Sequence, residues 1–332
     1  MNNRNDKLEN RLKQYFEGLD MMKLTAKQKA YVLDALMQLY KAAGDEDCFK
    51  MLEAEVSKLA DSVLLDGASG GAESAAVAVD GGAEAAGGTA ENAKTGGELA
   101  NLKIANAFYY AADVTGEERY IEAAKKAAKQ LAVQPRNEAG IFVDADESVS
   151  LGAAYLSQVF YMKYETVNGG KERYNDIIAQ YNSIRSSLYD AVASKISVDA
   201  GAAAEMAEYC AALIDTMEVV DQPLYEIFRR IQDLFKEAVK ALIEAGIFTT
   251  SATSALRASY AVLKGCRMKA LHTERYEKIA LKVLDTAISD IEAGEYREDV
   301  DYVTALAICY SESLKNREYQ DYGRGKGGAL WS

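Results

Sequence analysis

Apolar residues recur at three- and four-residue intervals along most of the chain, the spacing that lines one face of an α-helix. From Thr25 the stretch TAKQKAYVLDALMQLYKAAG sets Tyr31, Ala35, Leu36, Leu39 and Tyr40 at that spacing. It opens on a threonine able to cap a helix and closes at Gly44. A second helix is expected at once, from about Asp45 to Ala60. The same grammar predicts pairs at Glu98–Val114 with Glu117–Leu131, Glu147–Tyr164 with Lys171–Tyr189, Ala202–Met217 with Leu224–Glu244, and Ser251–Lys264 with Thr273–Ala293. A last helix is predicted over about Tyr302–Lys315, and one before Thr25 brings the number to about twelve. The two prolines, Pro135 and Pro223, both fall between these segments, where they break nothing.

Within each pair the two helices differ. The first is small and apolar, as in SATSALRASYAVL and GAAAEMAEYCAALI; the second is longer and more charged, as in ERYIEAAKKAAKQL and ERYEKIALKVLDTAI. A concentric arrangement explains the contrast. Inner helices are packed on all sides and need Ala, Ser and Gly, whereas outer helices bury one stripe and solvate the other. The hairpins repeat at about 50 residues, share pattern but little identity, and have irregular loops, which favours a closed toroid over an open solenoid. The expected fold is therefore all-α, an (α/α)6 toroid formed as one domain over residues 1–332. Two stretches interrupt the pattern. Residues 66–97 are dense in Gly, Ala and Thr without an aromatic residue and read as a long loop, with no GxxxxGK[ST] or strand–GxGxxG context for a phosphate. The tail DYGRGKGGALWS carries Arg324, Lys326 and the only tryptophan, Trp331, and reads either as a strap across one end or as a frayed terminus.

Composition narrows the functional classes. With 49% hydrophobic and 27% charged residues the chain has a globular composition, and its net charge of −13 sets it against a nucleic-acid backbone. No run approaches a membrane span, and the first residues, MNNRNDKLENRLKQYF, hold no signal-like apolar stretch, so no membrane partner is expected and the cytoplasm is the expected location. Cys48, Cys210, Cys266 and Cys309 are scattered among helical-pattern apolar residues and read as buried thiols. The single histidine, His272, falls in an inter-helix loop, which argues against a transition-metal site or a Ser-His-Asp triad; no metal and no cofactor are expected. Any acid–base chemistry falls to carboxylates. The most suggestive cluster is VDADES at 143–148, where Asp144, Asp146 and Glu147 feed the inner helix of the third hairpin. A helix cap is the alternative role for these acids.

At this point the residues resemble a known family. TGEERYIEAAKKAAKQLAVQPRNEAGIFVDADESVSLGAAYLSQVFYMKYE is similar to the region of unsaturated rhamnogalacturonyl and glucuronyl hydrolases (glycoside hydrolase families 105 and 88) that runs from the second outer into the third inner helix. AGIFTTSATSALRASYAVLKGCRMKAL and LLDGASGG resemble later and earlier stretches of the same family, so the likeness spans about 250 residues in order. The resemblance implies a six-hairpin glycosidase toroid. It also implies hydration of the C4=C5 double bond of a terminal unsaturated uronic acid on an oligosaccharide, which requires a carboxylic acid still protonated near neutral pH.

The chain departs from that family where the chemistry lies. Aligned on the family's motifs, Gly152 stands where WLDG has its catalytic aspartate and Ala100 where the LDNI segment has the other. Ala204 and Glu208 stand where the WGRG-x-GW segment has its arginine and second tryptophan. Two readings stay open: Asp144 or Asp146 has taken over as the acid, or the toroid has lost this chemistry and persists as a carbohydrate-binding or protein-interaction relative. Tyr155, with Tyr109, Tyr110, Tyr161 and Tyr164, offers a sugar-stacking surface or interhelix packing. Arg257, on an otherwise small and apolar inner helix, must be paired if buried, either to a uronate carboxylate or to a structural acid such as Asp215.

Overall fold

The computed structural model describes residues 2–65, 98–144, 150–168, 172–189, 199–221, 223–295 and 297–315. The expected loop at 66–97, the acids Asp146 and Glu147, and the tail with Arg324, Lys326 and Trp331 lie outside the described residues. Twelve principal helices account for nearly all that is described: α1 (Asn2–Glu17), α2 (Ala26–Ala43), α3 (Glu46–Leu65), α4 (Leu99–Thr115), α5 (Glu118–Ala127), α6 (Gly152–Val167), α7 (Tyr174–Ile184), α8 (Ala200–Val219), α9 (Tyr225–Glu244), α10 (Ala252–Arg267), α11 (Thr273–Glu292) and α12 (Val300–Leu314). The described residues contain no strand, only one isolated bridge between Arg136 and Phe142.

The even-numbered helices form a closed inner ring. Each packs on the next in the order α2, α4, α6, α8, α10, α12, and α12 returns to α2. The odd-numbered helices form the outer layer, α3 against α2, α5 against α4, α7 against α6, α9 against α8 and α11 against α10. Helix α1 covers the seam where the ring closes: Lys13 pairs with Asp45 (3.3 Å) and Asp47 (2.5 Å) at the start of α3, and Tyr310 of α12 donates to the Asn5 carbonyl at 3.4 Å. The difference in composition between the two layers thus has its physical cause in burial. In α4, twelve of the seventeen residues are buried, from Leu99 and Ala100 through Phe108 and Tyr109; α9 buries only Ile227, Ile231, Phe235, Ala238, Val239 and Leu242, a single stripe. Each large side chain in that stripe contributes about 1.5–3 kcal/mol by leaving water.

Local signals act as the sequence implied. Thr25 and Gln28 form a capping box at the start of α2, and Gly44 ends it in the left-handed conformation, φ 68°. Close layer contact explains the small residues. A Cβ on Gly265 of α10 would lie 2.6 Å from the Phe235 ring of α9. Elsewhere the expected boundaries shift. Helix α3 runs on to Leu65, and α5 stops at Ala127, with a short separate turn at Gln130–Val133 before Pro135 bars further helix.

Candidate functional site

The inner helices run parallel, so their amino-terminal ends gather at one mouth of the ring and their carboxy-terminal ends at the other. The amino-terminal mouth carries the residues on which the family resemblance turned. Gly152 is the first residue of α6 and Ala100 the second of α4, both buried. The space where Gly152 lacks a side chain is filled from α8: a Cβ at that position would lie 2.4 Å from Glu208 Oε2. The carboxylate is fixed by three donors. Arg257 Nη1 and the Tyr31 hydroxyl each donate to Oε1 at 2.5 Å, and Lys27 Nζ donates to Oε2 at 3.4 Å. Helices α2 and α8 are three places apart in a ring of six, so these bonds from Tyr31 and Lys27 cross the centre.

Burial pushes the Glu208 carboxyl up, but Arg257 first, then Lys27 and the Tyr31 hydroxyl, together carry it below the ordinary glutamate value. It is thus ionised at neutral pH. The guanidinium of Arg257 also lies over the rings of Tyr31 (4.3 Å) and Tyr155 (5.4 Å). Its partner is Glu208, not the Asp215 that sequence offered as a structural acid. Tyr155 is buried at 1% exposure and donates to Asp34 at 3.0 Å, one level deeper in the ring, where Lys103 pairs with the same Asp34 at 2.9 Å. Asp144 is half-buried, and its Oδ1 accepts the Leu99 backbone N–H at 2.7 Å. It therefore caps α4, a different helix from the one its loop feeds. Three buried polar atoms near this mouth, Asn101 Oδ1, Ser254 Oγ and Arg257 Nε, have no hydrogen-bond partner among the described residues.

Charge pairing continues down the ring as a ladder. Arg257 with Glu208, Lys264 with Asp215 (2.8 Å) and Arg267 with Glu218 (3.2 Å) each join α10 to α8 at a separation of 49 residues. That separation is the hairpin period itself, since parallel neighbours in register bring equivalent positions side by side. At the lowest rung Arg267 also pairs with Glu312 of α12, and Lys315 bonds Glu312 at 3.1 Å and Gln38 at 3.0 Å. Burial, then Asp34, raise Asp215 against the pull of Lys264, while Lys103 and the Tyr155 hydroxyl overcome burial and lower Asp34.

The carboxy-terminal mouth is different. There a cavity of about 100 Å³ opens among α2, α4, α6, α8 and α10, floored by the Asp34–Lys103 and Asp215–Lys264–Glu218 pairs and walled by Tyr109 and Tyr110. Apart from Asp215, none of these charged residues stood out in the sequence. Asp34 in AYVLDAL, Lys103 in NLKIANAF and Lys264 in AVLKGCR carry the same signal as Arg257, a lone charge within an apolar inner-helix run. The remaining chemistry is sparse. The four cysteines are buried and form no disulfide, His272 is exposed, no group of described residues could hold a metal ion, and no described helix is long and apolar enough to cross a membrane.

Residues 6–195 match the family described as Glycosyl Hydrolase Family 88. Among solved structures, a family 105 glycoside hydrolase from C. acetobutylicum ATCC 824 shares 14% identity at a TM-score of 0.65, over 92% of this chain and 98% of its own. A family 88 glycosyl hydrolase from Bacteroides vulgatus shares 10% identity at a TM-score of 0.66, over 93% and 98%. At these identities the two structures speak for the toroid fold. A search of curated proteins finds no significant match.

Proposed function

The chain belongs to glycosyl hydrolase family 88, and from that premise we propose that it is a non-hydrolysing member whose toroid binds an acidic sugar or oligosaccharide rather than cleaving it. One observation carries the reading: the carboxylate beside Gly152 is the Glu208 side chain, held ionised by Arg257, Tyr31 and Lys27. Protonating the enol ether of an unsaturated uronide calls for an acid raised towards neutrality, and Glu208 is shifted the other way. At 3% exposure it also offers no surface to a substrate. The acidic surface and the four buried cysteines fit a soluble protein of a reducing compartment such as the cytoplasm.

A second reading has its own observation. Two carboxylates, Glu208 beside Gly152 and Asp144 at the residue before Ala100, stand next to the two positions where the family resemblance expects aspartates. A substrate carboxylate that captured Arg257 would strip Glu208 of its counter-ion and raise its proton affinity, turning it into the missing acid. One assay decides between them: the ultraviolet absorbance of unsaturated rhamnogalacturonan and glucuronyl disaccharides, followed with wild type, Glu208→Gln, Asp144→Asn and Asp146→Asn. The binding reading expects no decay at high protein concentration. Decay that Glu208→Gln or an aspartate variant abolishes would overturn it in favour of relocated acids.

A further inference from the structure

We propose that the cavity at the carboxy-terminal mouth is a binding site for a single small sugar acid, its carboxylate held by Lys41 and Lys163 and its hydroxyls by Asp113 and Asn106. It lies at the far end of the ring from Glu208 and from both positions on which the family resemblance turned.

The lining provides the three kinds of contact such a ligand uses. One aromatic residue in its wall, Tyr110, is partly exposed and supplies apolar surface for sugar C–H groups, while Tyr109 is buried behind it. Asp113, Asn106 and Gln38 supply acceptors or donors for hydroxyls. Four lysines line it, and they are not equivalent. Lys103 and Lys264 are committed to Asp34 and to Asp215 with Glu218. Lys41 and Lys163 have no carboxylate within ion-pairing distance among the described residues; each lies over a ring of α4, Lys41 Nζ 4.6 Å from the Tyr110 centroid and Lys163 Nζ 5.8 Å from that of Tyr109. They flank α4 from α2 and α6, with Asp113 one turn beyond the two tyrosines.

The electrostatics agree with the geometry. Surrounding protein first, then Lys264 and Lys315, lower the proton affinity of the Lys41 ammonium against the pull of Glu218 and Asp34. An ammonium crowded by other ammoniums gains from a bound anion. The lining as a whole carries four carboxylates (Asp34, Asp113, Asp215, Glu218) and four lysines, so it suits a ligand with one negative group and several hydroxyls better than a dense polyanion. About 100 Å³ is room for several waters, at roughly 10–15 Å³ each, or for one ring partly in solvent, and too little for a chain of sugars. The choice of a sugar rests on the binding reading given above; the choice of an acid rests on the lysines.

The test is isothermal titration of the full-length protein with D-glucuronate, with D-glucose and with glycine. Saturable binding of glucuronate is expected, at least tenfold tighter than glucose and weakened by added salt. Lys41→Met and Lys163→Met should each lower the affinity about tenfold, a loss of about 1.4 kcal/mol. Lys240→Met, which removes the same charge from the exposed face of α9, should leave it unchanged. The proposal fails if wild type shows no saturable glucuronate binding, if glucose binds equally well, or if the two rim variants bind like wild type. Glycine binding more tightly than glucuronate would also overturn it, in favour of an amino acid. Turnover of unsaturated disaccharides would overturn the account of the amino-terminal mouth and leave this one standing.

Discussion

The two mouths of the ring are built from the same materials, charged side chains on helices otherwise made of small residues, and end in opposite states. At the amino-terminal mouth the central charges pair with one another: Glu208 takes Arg257, Tyr31 and Lys27, and its carboxylate fills the gap over Gly152. At the carboxy-terminal mouth Asp34, Asp215 and Glu218 are satisfied by deeper lysines, and Lys41 and Lys163 are left over at the rim of an open cavity. The number of charges does not separate a plug from a pocket. What separates them is whether the in-register ladder between α8 and α10, and the bonds that cross from α2, use all of the cations. Buried pairs of this kind add little net stability, but breaking one is costly because the partner stays buried.

That asymmetry can be broken from either end, and the largest effect belongs to the closed one. Arg257→Met should lower unfolding free energy by about 3–5 kcal/mol, because it strands an ionised carboxylate; urea melts at pH 7 check it. The loss should depend on pH in a defined direction. The folded-state value of Glu208 lies below the ordinary 4.5, so its contribution is present above that value and lost as pH falls through the lower one. In the Arg257→Met protein burial raises the same carboxyl, which then gains stability on protonation, so the gap between the two melting temperatures should narrow steadily as the pH falls below neutrality. A gap that is constant to pH 3 would mean that Glu208 is not the group responsible. An intermediate effect is expected away from either mouth. Gly265→Ala drives a Cβ against the Phe235 ring and should cost about 1–3 kcal/mol in the same melts. The smallest belongs to the open mouth: Lys41→Met should change stability by no more than about 0.5 kcal/mol, as for an exposed site without an ion pair.

Much of this fold was legible in the sequence because local rules govern it. The alternation of small apolar and more charged helices, the Thr25 cap and Gly44 all act within a few residues and appear in the structure as expected, whereas the outer helices α5 (Glu118–Ala127) and α7 (Tyr174–Ile184) are shorter than their inner partners, not longer. Family 88 was legible as well, through order and spacing across the first half of the chain. The site was legible only in part. Arg257 stood out as a charge needing a partner, but Glu208 and Asp215 are seven residues apart on α8, as are Arg257 and Lys264 on α10. Sequence could not say which rung met which. The 49-residue register supplies the answer only once the two helices are known to be parallel neighbours. The filling of the Gly152 gap was illegible for the same reason. It depends on a side chain 56 positions further along, on the next inner helix, and on donors that cross the ring from α2.

The central claim is that Glu208 occupies the room left by the missing side chain at Gly152, and the most direct measurement is a stability cycle between the two sites. Gly152→Ala is introduced into wild type and into a protein from which the ion pair has been removed whole, Arg257→Met with Glu208→Ala, and thermal melts give the cost in each. In wild type the substitution should cost about 1–3 kcal/mol by overpacking. Without the pair it should be neutral or stabilising by up to about 1 kcal/mol, the ordinary gain of alanine over glycine in a helix. An equal cost in both proteins would contradict the account, since the space over Gly152 would then be limited by something other than the Glu208 carboxylate.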